Sequence, residues 1–194
     1  MIRLEPFQLV LASGSPRRAE LLKLMDLNFK IRVLAVEENY PDEISPEQVP
    51  AYLARKKANA QDLKDPLEIC IAADTLVLLD QKILSKPENL DEAKQFLGEL
   101  SGKVHEVITG VCILHQDLEM SFSETSQVEF GRIQDSEINY YVQEYKPLDK
   151  AGAYGVQDWI GLIGVKSIRG SYTNVMGLPT ETLYRKLVEF RARL

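Results

Sequence analysis

Near the start of the chain, Ser13-Gly14-Ser15-Pro16-Arg17-Arg18 places two hydroxyls, a glycine and two guanidiniums around what reads as a helix start. A helix N-terminus carries about half a positive charge, so each arginine in a first turn is unfavourable by roughly 0.3–1 kcal/mol unless something negative lies nearby. A bound phosphate removes the conflict. Exposed amides, Ser13 and Ser15, a glycine that admits close approach, and Arg17 with Arg18 together make a polyphosphate cradle. The plainer alternative is that Ser15 caps the helix while the arginines are solvated or paired with acids such as Glu20.

A second signal is Asp74-Thr75, set inside the otherwise apolar run Glu68–Leu79 (EICIAADTLVLL). An unpaired carboxylate there costs several kcal/mol, so Asp74 should face a cation, a metal or a reacting water, or be satisfied by backbone amides in a turn. Lys57 in ARKKA and Lys86 in SKP are candidate phosphate partners that gain weight only together. Glu37 and Glu38 offer adjacent carboxylates suited to Mg²⁺, a hard cation that takes a few protein oxygens plus water and phosphate; loop acids are otherwise simply solvated. Gln157, flanked by Tyr154 and Trp159, carries an amide that both donates and accepts, as reading a nucleobase edge requires. The alternative there is a core aromatic pair around a turn glutamine. His105 and His115 have no cysteine or carboxylate at zinc-ligand spacing and read as structural. The chain has no G-x-S-x-G elbow, no P-loop and no G-x-G-x-x-G, which removes three common enzyme templates.

The elements that must position these residues follow from pattern. Phe7–Ala12 reads as a buried strand, followed by a helix with Ser15 at its cap and Pro16 at its first position, running to about Leu27. Phe29–Val36 reads as a second strand, and Ser45-Pro46 opens a helix to about Leu63 with a lysine-rich face. Glu68–Leu79 is a central strand buried on both sides. Asp91–Leu100 is a helix ended by Gly102, and Val104–Leu114 with Glu119–Gly131 form a long antiparallel hairpin. Ser136–Gln143 is a helix with Asp135 as cap, Ala151–Val165 is glycine-rich and bent, and Pro179–Arg193 is a last helix. Strands and helices alternate early and hairpins come late, which predicts an α/β fold with a mixed, curved sheet flanked by helices.

With 194 residues, 45% of them hydrophobic, and no linker-like stretch, the chain is expected to be one domain with its own core. Lys plus Arg number 23 against 29 for Asp plus Glu, a net charge of −6, which disfavours a broad nucleic-acid-coating surface and leaves a small, locally cradled anion as the expected ligand. Cys70 and Cys112 lie in apolar runs and read as core thiols in a reducing cytoplasm. The first apolar run is short and broken by Glu5-Pro6, so it reads as neither a signal peptide nor a membrane span.

Taken together, LASGSPRRAELL (Leu11–Leu22), AADT (Ala72–Thr75), SKP (Ser85–Pro87), SGKVHEVITGV (Ser101–Val111), DKAGAYGVQ (Asp149–Gln157) and GSYTNVMGLP (Gly170–Pro179) resemble the Maf family nearly end to end. The resemblance implies a cytoplasmic nucleoside triphosphate pyrophosphatase with a fold similar to the inosine triphosphate pyrophosphatases (Maf/Ham1), a divalent cation such as Mg²⁺ or Mn²⁺, and a homodimer with no nucleic-acid polymer or membrane as partner. GAYG followed by Val156 and Gln157 is similar to the subgroup acting on dTTP and UTP. By the same matching, Asp74 is the proton acceptor, with Lys86 and Arg18 beside it in catalysis. Ser13, Arg17, Arg18, Lys57, Thr75, Lys86 and Gln157 contact substrate, and Glu38 with Asp74 hold the metal. Two positions depart from the pattern: Asp158 stands where a glycine often follows the glutamine, and Ala35 replaces a commonly polar residue. A rival reading with the same phosphate cradle is a non-hydrolytic nucleotide-binding regulator of cell division or septum formation.

Overall fold

The computed structural model describes residues 4–116 and 118–194. In chain order the first elements are β1 (Gln8–Leu11), α1 (Pro16–Leu24), β2 (Phe29–Ile31), a 3₁₀ turn (Pro46–Gln48), α2 (Val49–Asn59), β3 (Glu68–Leu79), β4 (Lys82–Leu84) and α3 (Leu90–Leu100). They are followed by β5 (Val104–His115), β6 (Leu118–Phe130), α4 (Asp135–Tyr145), a 3₁₀ turn (Ala151–Ala153), α5 (Trp159–Gly164), β7 (Val165–Arg169), α6 (Tyr172–Met176) and α7 (Thr180–Arg191). The strands hydrogen-bond in the order β2-β1-β3-β5-β6-β7, with β4 also on β3. β1 is parallel to β2 and β3, whereas β4 is antiparallel to β3 and β7 to β6, so the sheet is mixed and open, and helices flank it.

The chain forms two compact units. The first comprises the described parts of Met1–Asp74, Thr109–Glu124 and Gly177–Leu194, the second Thr75–Ile108 and Thr125–Met176. In the first unit, small residues line one core: Ala12, Ala54, Ala58, Cys70, Ala72 and Cys112 are buried together with Leu114. Small side chains on both faces let α2 lie close to the strands. The closest approach is at Gly110, where a Cβ would stand 2.1 Å from the backbone nitrogen of Ala51. Cys70 and Cys112 are unbridged core thiols, their pKa values raised to about 12 chiefly by burial. In the second unit α3 buries Ala93, Phe96, Leu97 and Leu100, three or four residues apart on one face. They meet Val77, Val107, Phe130, Tyr141 and Tyr154 in a larger apolar core.

Several elements differ from the sequence expectation for local reasons. β2 stops at Ile31 instead of Val36 because β1 ends at Leu11, its register partner, leaving no edge to pair with. Val33 and Leu34 are exposed there, and Arg32 instead grips Glu68 through both terminal guanidinium nitrogens at 3.0 and 2.6 Å. α1 ends at Leu24 because Asp26 turns the chain left-handed at φ 56°. The helix expected over Ser45–Leu63 divides into a 3₁₀ turn and α2: Pro50 lacks an N–H and is tolerated only in a first turn. β4 escapes pattern reading because Asp80 and Gln81 make its two-residue turn at φ 48° and 69° without glycine or asparagine. α4 starts at Asp135, not Ser136. Gln134 is its cap, and the Glu137 carboxylate accepts from the Gln134 amide at 2.8 Å. α5, β7 and α6 occupy the glycine-rich stretch and its sequel, where short elements carry little periodicity.

The α2 contact yields a test. Gly110→Ala is expected to lower stability by about 2–3 kcal/mol, because backbone rather than a movable side chain blocks the new methyl. For a chain of this length that is a fall in melting temperature of roughly 5–10 °C by calorimetry. An unchanged transition would show that α2 does not pack this closely.

Candidate active site

In the first unit, β3 carries Asp74 midway along its length, and α2 brings Lys57 to it. Lys57 Nζ lies 2.5 Å from Asp74 Oδ1 and 2.7 Å from Glu38 Oε1, so one ammonium bridges two carboxylates. Asp74 and Lys57 are largely shielded, with side-chain exposures of 13% and 17%, while Glu38 is 48% exposed. Lys57 sits in the last turn of α2, where the helix dipole favours a cation. Its neighbour Lys56 donates to the backbone oxygen and the side chain of Asn39, which fixes the segment bearing Glu38 against the same turn. The acidic pair therefore divides: Glu38 goes to Lys57, and Glu37 accepts from Asn39 at 3.1 Å.

The SGSPRR segment lies in the same unit. Pro16 occupies the first turn of α1 as expected and that turn holds no acid, but the Ser15 side chain makes no capping bond. Instead the Ser15 amide donates to Ser13 Oγ at 3.3 Å. Arg18 is a brace as much as a charge. Its Nη1 donates to Ser13 Oγ at 2.9 Å and to the Ala73 carbonyl at 2.8 Å, and its Nε donates to the Gly177 carbonyl at 2.8 Å. Burial lowers the Arg18 pKa while attraction from Asp74 raises it, with weaker effects from Arg17 and Glu38. A guanidinium remains protonated through such changes. Ser13, Arg17, Arg18, Glu38, Lys57 and Asp74 thus form one electrostatic cluster. The carbonyls of Ala73 and Gly177 and the Lys56–Asn39 clasp were not legible in advance, because backbone acceptors and loop contacts leave no residue-type signature.

The donor set fits a hard divalent cation. Glu38 and Asp74 already converge on one positive group, and their oxygens are the ligand type Mg²⁺ takes, the remaining positions being left to water and phosphate. No cluster of three or more His, Cys, Asp or Glu side chains suited to a metal occurs among the described residues, so no all-protein cage is formed there.

In the second unit, Thr75 follows Asp74 along β3 and is half-buried, while Lys86 is exposed just beyond β4. The loop bearing Lys86 is tied to the GAYG loop, since the Gly152 amide donates to the Ser85 carbonyl at 3.2 Å. Gly152 needs to be glycine: its φ is 66°, and a Cβ would lie 3.0 Å from Val77. Gln157 is exposed directly after five buried residues, Gly152–Val156. The flanking aromatics do not sandwich a base. Tyr154 is a core residue, bonded through its hydroxyl to His105 Nε2 at 2.7 Å and set edge-on to Phe130, whereas Trp159 packs on Tyr140. His105 is buried as expected, its pKa lowered to about 4 by desolvation, and His115 bonds the Glu68 carbonyl at 2.8 Å.

The family described as Maf-like protein matches residues 8–190. The chain belongs to the Maf family. It is 49% identical over 186 residues to the dTTP/UTP pyrophosphatase of Phocaeicola vulgatus, covering 95% of this chain and 96% of that protein. It is 48% identical to the dTTP/UTP pyrophosphatase of Bacteroides thetaiotaomicron over 186 residues, again 95% and 96% of the two chains. Among solved structures, a HAM1 protein from Coxiella burnetii aligns over 94% of this chain and 99% of its own at 16% identity and a TM-score of 0.48. The Staphylococcus aureus Ham1 protein aligns over 63% and 71% at 17% identity and a TM-score of 0.41. The motifs quoted from the sequence thus belong to a Maf protein, and the Asp74 cluster lies in the Maf chain's first unit.

Removing the bridging ammonium should expose its structural weight. Lys57→Met leaves the shielded Asp74 without its cation and is expected to cost about 1–3 kcal/mol in urea unfolding, with much of the loss recovered on adding Asp74→Asn. Wild-type stability in the single variant would mean that the bridge contributes nothing.

Proposed function

We propose that this Maf chain hydrolyses nucleoside triphosphates, dTTP and UTP foremost, to the nucleoside monophosphate and pyrophosphate. The observation that carries the reading is the shielded Asp74 carboxylate, bridged through the Lys57 ammonium to Glu38, in a chain nearly half identical to proteins named dTTP/UTP pyrophosphatase. Water attacks the α-phosphorus. A new P–O bond forms as the bond to the α,β-bridging oxygen breaks; the water's proton passes to Asp74, and pyrophosphate departs. A base so placed is worth about 10²- to 10⁴-fold in rate.

The remaining roles are electrostatic. The first-turn amides of α1, Ser13 and Arg17 cradle phosphate oxygens, and Lys57 and Lys86 stabilise negative charge on the phosphates and the leaving pyrophosphate. Arg18 contributes charge while holding Ser13 and the β3 backbone just before Asp74 in place. Arg17, Thr75 and Gln157 serve substrate choice, Gln157 through an exposed amide able to pair with a pyrimidine edge. Mg²⁺, or Mn²⁺ in its place, held by Glu38 and Asp74, would neutralise phosphate charge and orient the triphosphate. The family resemblance adds a homodimer and a cytoplasmic setting. Unbridged, buried Cys70 and Cys112 accord with reducing surroundings, and no helix among the described residues is long and apolar enough to cross a membrane.

Two measurements test the reading. Asp74→Asn is expected to lower kcat about 10²- to 10⁴-fold while nucleotide affinity stays within about threefold; wild-type turnover removes Asp74 from the reaction. In a panel of dTTP, UTP, CTP and 7-methyl-GTP, dTTP and UTP should release pyrophosphate fastest, and Gln157→Ala should erase that preference. Binding without pyrophosphate release from any of them would point to a regulator instead.

A further inference from the structure

Asp158 follows Gln157 at the N-cap position of α5, yet its side chain makes no capping bond. Aspartate is among the best capping residues, so a carboxylate that leaves this role is held elsewhere by something stronger. Its Oδ2 accepts from the Tyr141 hydroxyl of α4 at 2.7 Å, and Lys150 Nζ stands 3.8 Å from the same oxygen. Tyr141 is fully buried, and its own hydroxyl oxygen accepts from the Gly155 amide at 3.4 Å. The turn closes through a backbone bond as well, the Asp158 amide donating to the Gly155 carbonyl at 3.0 Å. Gly155 has to be glycine for this arrangement, because a Cβ there would lie 2.6 Å from Asp158 Oδ2.

The result is a relay of hydrogen bonds running from the Gly155 amide through Tyr141 to Asp158, with both ends anchored on the turn that presents Gln157. Bonds in such a chain polarise one another, and a charged acceptor at the end strengthens them. Val156 and Gln157 lie between the two anchors, so the glutamine backbone is clamped before and behind while its amide stays exposed. We propose that Tyr141 and Asp158 are positioning residues that fix the Gln157 amide and thereby set the discrimination among pyrimidine nucleotides. This rests on Gln157 reading the base, as in the proposed function. The relay touches no phosphate and moves no proton in hydrolysis, so its loss should affect base choice and binding rather than the chemical step.

The test is steady-state kinetics of the full chain with dTTP and CTP. Tyr141→Phe is expected to raise KM for dTTP about five- to tenfold with kcat within about twofold, and to lower the dTTP-to-CTP ratio of kcat/KM by a similar factor. Asp158→Ala, which alters a partly exposed side chain, should reproduce the shift and covers the case in which the buried substitution fails to fold. In a Gln157→Ala background, Tyr141→Phe should leave the dTTP-to-CTP ratio unchanged, because the relay acts only through the glutamine. Wild-type ratios in both single variants, or an equal further drop in the Gln157→Ala background, would overturn the positioning role while leaving the hydrolytic reading standing. A wild-type protein inactive on both dTTP and UTP would overturn the two together.

Discussion

A carboxylate in the middle of an apolar strand has to be held by a cation or by backbone donors, and Asp74 is held by Lys57, the pair on which the first unit's charges converge. The strand around Asp74 buries Ile69, Cys70, Ile71, Ala72 and Ala73 almost completely, so the acid has no flexible loop in which to escape. Lysine can reach it only because α2 lies close to the strands, and α2 lies close because Gly110 has no side chain and Ala54 and Ala58 have little. Once in place, the ammonium has capacity for a second carboxylate, and Glu38 supplies it from an acidic segment that Lys56 also clasps through Asn39. Sheet packing, helix placement and loop order therefore converge on one charge.

The same logic explains Arg17 and Arg18 at the start of α1. Two cations are unfavourable in a first turn, but Arg18 is engaged by Ser13 and by two carbonyls, and Asp74 with Glu38 lies within its electrostatic reach. The local cost is offset by long-range partners, and the positive field remains beside a shielded carboxylate. A polyanion with a weak anhydride linkage is the ligand that such a field and such an acid suit together.

Much of this was legible in the residues. Glu68–Leu79 is a strand over the span its apolar run marks, and Asp74 stands out in it by type alone. Pro16 and Gly102 mark helix boundaries because their backbone chemistry has few alternatives. What stayed hidden depends on tertiary partners. Phe29–Val36 is apolar enough for a long strand, but pairing is decided by where β1 stops. Tyr154 looks like a base platform in sequence and is a core residue in space, because His105 and Phe130 claim it. Arg18 shows its charge in the sequence but not its bracing carbonyls. The clasp of Lys56 on Asn39 joins residues 17 apart and has no periodic signature.

The proposed mechanism has Glu38 and Asp74 hold one divalent cation that serves the substrate's phosphates. It is tested most directly by calorimetric titration of Mn²⁺ into the full chain saturated with a non-hydrolysable α,β-methylene analogue of dTTP. The account predicts one ion per chain, with affinity weakened roughly tenfold or more by Glu38→Gln and again by Asp74→Asn, each taken singly. Equal affinity in the wild type and both variants would contradict it.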